Sequence, residues 1–181
     1  MRKRNLIIVM AISLLAFTAC NSAKEKASKK IAVLEKELMS SNTKIDSIKA
    51  QKLIDLYVNF ADNFRTDTIT PVYLLKAADI SMNILKHQQS IQLLDRIIKD
   101  YTGFSKLPDC LFLKAFIYEN QAKDLEKAKI YYDEFLKKYP NHELAPSAKA
   151  AIDNMGIPMD ILIKSFEEKN KETKEPNKVK S

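Results

Sequence analysis

Leu74-Leu75-Lys76-Ala77 is followed 38 residues later by Phe112-Leu113-Lys114-Ala115. The same offset carries Ser90 to Ala128, Leu94 to Tyr132, Ile97 to Phe135 and Tyr101 to Tyr139. An offset of 37 in the other direction takes Pro108 to Pro71, Tyr101 to Phe64, Ile97 to Phe60 and Leu94 to Tyr57. One unit therefore recurs nearly three times. Its apolar positions fall at helical spacing, so the unit is a helical hairpin. A single hairpin cannot bury its own apolar face, and stacking on its neighbours supplies the missing core.

Each unit has the same internal order. A first helix is expected over about 71–86 and again over 108–121, ending in a polar turn at His87-Gln88-Gln89 or Lys123-Asp124. A second helix follows over about 90–101 and 125–138. Pro71 and Pro108 suit helix starts, where a missing N–H loses no hydrogen bond. Lys137 and Lys138 complement the C-terminus of the last of these helices, and Pro140 stops it. Upstream, Leu53, Leu56, Tyr57, Phe60 and Phe64 form one face of a helix running from Lys49 to about Phe64. Downstream, a small-residue helix from Ala145 to Met155, closed by Gly156, reads as the start of a capping unit. A last helix is expected from Asp160 to about Glu168, with Ile161, Leu162 and Phe166 on its apolar side.

These residues resemble the tetratricopeptide repeat. In that family small and aromatic residues alternate in set places along the hairpin and Pro closes it. Ala115, Tyr118, Ala128, Tyr132 and Pro140 take those places here. The preceding unit reads Ala78, Ser81, Ser90, Leu94 and Thr102. Tyr118 to Ala128 is one residue longer than the family's spacing, and the period exceeds the usual 34. The resemblance covers about 46–156. It implies an all-α, TPR-like α-solenoid of stacked helical hairpins that binds other proteins and is not an enzyme.

Composition points the same way. The chain has 181 residues and only two glycines, Gly103 and Gly156, too few for a phosphate-cradling loop or a dinucleotide fingerprint. Lys and Glu are interspersed, as on solvated helix faces, and no basic stripe points to nucleic acid. His87 and His142 lie in corresponding expected turns, without a second ligand at metal-binding spacing. No cofactor, metal or catalytic constellation is expected. Cys110 lies in an apolar helical stretch and reads as a small buried hydrophobe.

The first twenty residues read separately. Arg2, Lys3 and Arg4 precede an apolar run from Leu6 to Phe17, then Thr18, Ala19 and Cys20. That is the layout of a secretory signal peptide, and the run falls short of the roughly 20 residues needed to span a bilayer. Leu15-Ala16-Phe17-Thr18-Ala19-Cys20 resembles a lipobox, departing from it at Phe17, where Leu is usual. The resemblance implies cleavage before Cys20 and lipidation of its thiol. Residues 1–19 hold three cations and no acid, so the net charge of +7 falls to +4 in the remaining 162 residues. Asn21 stands where an Asp would favour inner-membrane retention, so the expected home is the outer membrane, on its periplasmic side.

The expected organisation is a signal peptide over 1–19, a lipidated flexible tether over 20–30 and an N-terminal helix over 31–45. This helix either packs on the domain or forms a short coiled coil. The repeat domain follows over 46–156, then a C-terminal helix over 157–168 and a disordered tail over 169–181. The chain resembles the repeat-bearing envelope lipoproteins of bacteria, such as those of outer-membrane assembly or cell-division coordination. Partners are expected to be envelope proteins or peptides held on a concave face of first helices. Candidate contacts there are Asp79, Asn83, Phe116, Glu119 and Asn120. The alternative readings are a peptidoglycan- or glycan-binding protein, which would need exposed aromatics in a groove, and an accessory lipoprotein of outer-membrane assembly.

Overall fold

The computed structural model describes residues 22–40 and 45–174. The expected signal peptide, Cys20 and the end of the expected tail from 175 onward lie outside the described residues. Every regular element among the described residues is helical, in agreement with the all-α expectation. The helices are α1 (22–39), α2 (Ser47–Asn63), α3 (Thr70–Asn83), α4 (His87–Asp100), α5 (Leu107–Ile117), α6 (Leu125–Lys138), α7 (Ala145–Asn154) and α8 (Met159–Lys174). A π-helical turn, Tyr118–Ala122, continues α5. None of the described helices is long and apolar enough to cross a membrane. The chain divides into two compact units, residues 1–110 and 111–181.

The repeat is visible in its loops. Phe64, Tyr101 and Tyr139 cap α2, α4 and α6 with nearly the same backbone, φ −129°, −127° and −134°. Each cap N–H donates to the carbonyl four residues back, at Phe60, Ile97 and Phe135. Three residues on, the N–H of Asp67, Phe104 and His142 donates to the capping aromatic's carbonyl at 3.0, 2.9 and 3.1 Å. Three further on, Thr70, Leu107 and Ala145 repeat the step, and Pro71, Pro108 and Pro146 open the next helix. Short-range hydrogen bonding thus sets the same corner each time.

The register corrects the sequence reading at one point. Pro71 matches Pro108, and the buried Leu74 and Ala78 match the buried Leu111 and Ala115, all at an offset of 37. The second helices match at 38. The match of Leu74–Ala77 to Phe112–Ala115 at 38 is therefore one residue out of register. The π turn absorbs the difference, because a π turn holds one more residue than an α turn. The hairpin turns show this directly. Lys86 N–H closes on Ser81 O across five residues at 2.8 Å, and Asp124 N–H closes on Tyr118 O across six at 2.9 Å. The extra residue noted between Tyr118 and Ala128 is this insertion.

Within the first unit, α2 packs on α3 and α3 on α4. The core holds Leu53, Ile54, Tyr57, Phe60, Leu74, Leu94 and Ile97, all fully buried. Tyr73 lies edge-on to Phe60 at 4.8 Å between ring centroids. In the second unit Phe112 meets Tyr132 and Phe135 edge-on at 5.5 and 5.6 Å, and α6 packs on α7. Edge-to-face pairs of this kind add attraction beyond the apolar area they bury.

Several expected boundaries move. Residues 22–30, read as a flexible tether, form the first half of α1. Lys24, Ala27 and Ser28 there are half-buried, in line with Ile31, Leu34, Glu35 and Leu38 at helical spacing. α1 is thus one helix whose Ile31 and Leu34 are buried and whose Glu35 bonds to α2 and α3. The His87-Gln88-Gln89 turn lies at Ile84–Lys86 instead, with His87 already opening α4. Leu85 adopts a left-handed φ of 61°, and Lys123, in the next hairpin, one of 56°. Left-handed backbone is ordinarily given to Gly or Asn, so Leu85 carried no turn signal. Gly156, after α7, takes φ 76° as its place requires. α8 runs to Lys174, so 169–174 are helical where disorder was expected.

Candidate functional site

The candidate contacts named from the sequence lie on α3 and on α5 with its π turn. On α3, Lys76, Asp79 and Asn83 are exposed at helical spacing, while Leu74, Ala77, Ala78 and Ser81 face the core. Asp79 stands at the rim of a cleft of about 170 Å³ between α1, α2 and α3, floored by Leu38 and Leu53. Met39, at the end of α1, is 80% exposed beside it. Asn83 closes the stripe, next to the hairpin turn.

Glu35 crosses this cleft from α1. Its Oε1 accepts from Tyr57 Oη at 2.5 Å and from Lys76 Nζ at 2.7 Å. Burial pushes the Glu35 carboxyl upward, but the Lys76 and Tyr57 bonds lower it further, so its net shift is downward. Tyr57 moves the other way: burial first, then the Glu35 carboxylate, hold its hydroxyl protonated. A donor–acceptor set of this kind fixes α1 against α2 and α3 and defines one wall of the cleft.

The other three candidates lie on α5 and its π turn. Phe116 is 38% exposed and Asn120 is exposed. Glu119 is half-buried, and its Oε2 accepts from Tyr132 Oη at 2.8 Å and from Asn120 Nδ2 at 3.4 Å. Its carboxylate is therefore committed within the chain, and Asn120 Nδ2 also donates to Phe116 O at 3.1 Å. Beside them, Tyr118 stacks on Tyr131 at 5.3 Å and 12°. Lys114 Nζ lies 3.7 Å from the Tyr131 centroid and Lys127 Nζ 5.4 Å from that of Tyr118. This cation–ring ladder was not foreseen, because only the π turn turns Tyr118 toward Tyr131. Asp124 holds Lys127 at 2.7 Å and caps α6 by accepting from Lys127 N–H.

The histidines do not hold corresponding places. His87 opens a helix. His142 sits in the loop between hairpins, its ring edge-on to Phe135 at 5.6 Å and its Nδ1 accepting from Leu144 N–H. Cys110 is fully buried, and burial pushes its thiol up to about 12.

Residues 109–142 match the family model described as tetratricopeptide repeat, a span running from α5 through the π turn and α6 into the following loop. No curated protein matches the chain. The fold and the match define a protein that contains a tetratricopeptide repeat. Such repeats bind protein partners and typically act as non-enzymatic interaction scaffolds.

Proposed function

We propose that this protein is a lipid-anchored interaction scaffold of the bacterial envelope. On this reading it is held by Cys20 at the periplasmic side of the outer membrane and binds proteins or peptides through its first-helix faces. The observation that carries the reading is the tetratricopeptide match over 109–142 in a chain that opens with a lipobox-like Leu15–Cys20. The exposed Asp79 and Asn83 on α3, Phe116 on α5 and Asn120 on the π turn are of the mixed apolar and polar kind that recognition of an extended or helical segment uses. Two or more acyl chains on the cysteine hold a protein firmly at a membrane.

Photo-crosslinking from Asp79 and Phe116 in cells, followed by mass spectrometry, tests the partner half. Reproducible capture of the same envelope protein is expected, and reaction with solvent alone would overturn it. The Cys20→Ser variant tests the anchor: it should lose lipid labelling and leave the membrane fraction, and continued fractionation with membranes would refute lipidation. A glycan-binding reading keeps one observation in its favour, the exposure of Phe116. Retention on peptidoglycan that is lost in Phe116→Ala would select it.

A further inference from the structure

We propose that the first unit stands upright on the phospholipid headgroup surface in one fixed orientation, with the loop ends at 64–69 and 101–106 facing the lipid. The proposal rests on lipidation of Cys20, and it replaces the picture of a module swinging on a tether. α1 is already helical at residue 22. Asn21 alone separates Cys20 from that helix, and two Cα steps reach at most about 7 Å. The point of lipid attachment is thereby confined to the N-terminal end of α1.

That end is fastened to the rest of the unit. Lys24, at the start of α1, pairs with Asp67 in the loop after α2. Ile31 and Leu34 are buried further along, and Glu35 is bonded to both Tyr57 and Lys76. A helix held at its start, middle and far half cannot act as a swivel. Lys24 lines one cleft with Asp62, Asn63 and Arg65, and Arg65 and Thr66 line another with Tyr101 and Phe104. The 64–69 and 101–106 loops thus share the end of the unit at which α1 begins. Ser47, Ile48, Ile84 and Lys86 lie together at the other end. α3, with 14 residues between the two ends, keeps them about 20 Å apart. Lys26, Lys30 and Arg65 are exposed on the lipid-proximal half and suit anionic headgroups, while Lys29 is paired with Glu25 at 2.7 Å.

The test uses the full lipidated protein in vesicles of phosphatidylethanolamine and phosphatidylglycerol. A fluorophore is placed on Thr66→Cys or on Leu85→Cys, both exposed positions, with nitroxide-headgroup lipid as quencher. Cys110 is buried and does not compete for the label. Quenching several-fold stronger at position 66 than at 85 is expected. Inserting a ten-residue Gly-Ser linker between Asn21 and Ser22 should erase that difference while the protein still floats with vesicles. Equal quenching of the two labels in the floating, linker-free protein would overturn the fixed orientation but leave lipidation standing. Failure of the linker-free protein to float would overturn both.

Discussion

Tyr57 and Tyr132 hold the same place in two hairpins, with Leu94 in that place between them. Each tyrosine is buried and gives its hydroxyl to a glutamate on the preceding helix, Glu35 or Glu119. A part-buried carboxylate that loses such a donor is left with its desolvation uncompensated. Tyr132→Phe should therefore lower stability by about 1–2 kcal/mol, read as the shift of a urea midpoint at unchanged slope. No shift would mean that Glu119 rehydrates freely. Leu85 makes the opposite case. It is 75% exposed and sits at φ 61°, so its side chain contributes little burial while its backbone is strained. Left-handed backbone disfavours side chains by about 1–2 kcal/mol, and glycine returns part of that gain as unfolded-state entropy. Leu85→Gly should stabilise the protein by about 0.5–1 kcal/mol in the same denaturation experiment. A destabilised variant would show that Leu85 packs in solution.

At the scale of elements, α1 is the piece whose docking depends on charge. Lys24 with Asp67 and Lys76 with Glu35 tie it to the loop after α2 and to α3. The Lys24 hydrogen bond is the main cause holding the Asp67 carboxyl below its ordinary value, with the Ile69 N–H adding to it. Glu35, despite burial, is also held low by Lys76 and Tyr57. A carboxyl with a lowered folded pKa stabilises fully above its ordinary value and loses that contribution as pH falls through the folded one. The hold on α1 should thus begin to weaken below pH 4.5, the ordinary value of Glu35, and α1 should undock below 3.8, the ordinary value of Asp67, as both carboxylates protonate. Methyl resonances of Ile31 and Leu34 should move to exposed positions in that window while Leu74 and Ile97 stay dispersed. Simultaneous loss of all four would refute a separate α1 transition. The π turn is the other element-scale device. It lets this hairpin carry one more residue between its helix starts, Leu107 and Leu125, than lies between Thr70 and His87.

At the scale of the molecule, Cys110 reports opening. The thiolate is the nucleophile, and burial pushes this thiol up to about 12. Iodoacetamide at mildly alkaline pH should leave Cys110 unmodified in the folded protein and alkylate it in urea. Its slow native-state reaction should follow the same free energy as global unfolding, since a fully buried side chain is reached only through such opening. Rapid native labelling would place Cys110 in a region that opens locally. Much of the architecture was legible beforehand, because it is written in short-range terms. Pro71, Pro108 and Pro140, the aromatics Phe64, Tyr101 and Tyr139, and the apolar spacing of α2, α4 and α6 specify helices and corners from nearest neighbours alone. The candidate site was less legible. Asp79, Asn83, Phe116 and Asn120 are exposed, but the engagement of Glu119 by Tyr132 depends on how two helices meet.

The sequence by itself thus determined the helical hairpin, its recurrence and the lipobox-like start, since periodicity and capping act over a few residues. Only the tertiary structure decided that 22–30 belongs to a packed helix, because Lys24, Ala27 and Ser28 carry no apolar signature and gain their place from partners such as Asp67, far along the chain. It alone set the register of α5, where a π turn and not the match of identical letters shows which residues correspond. It alone placed Leu85 in a left-handed turn, since the hydrogen bond from Lys86 to Ser81 imposes there a backbone that the residue's own preference opposes.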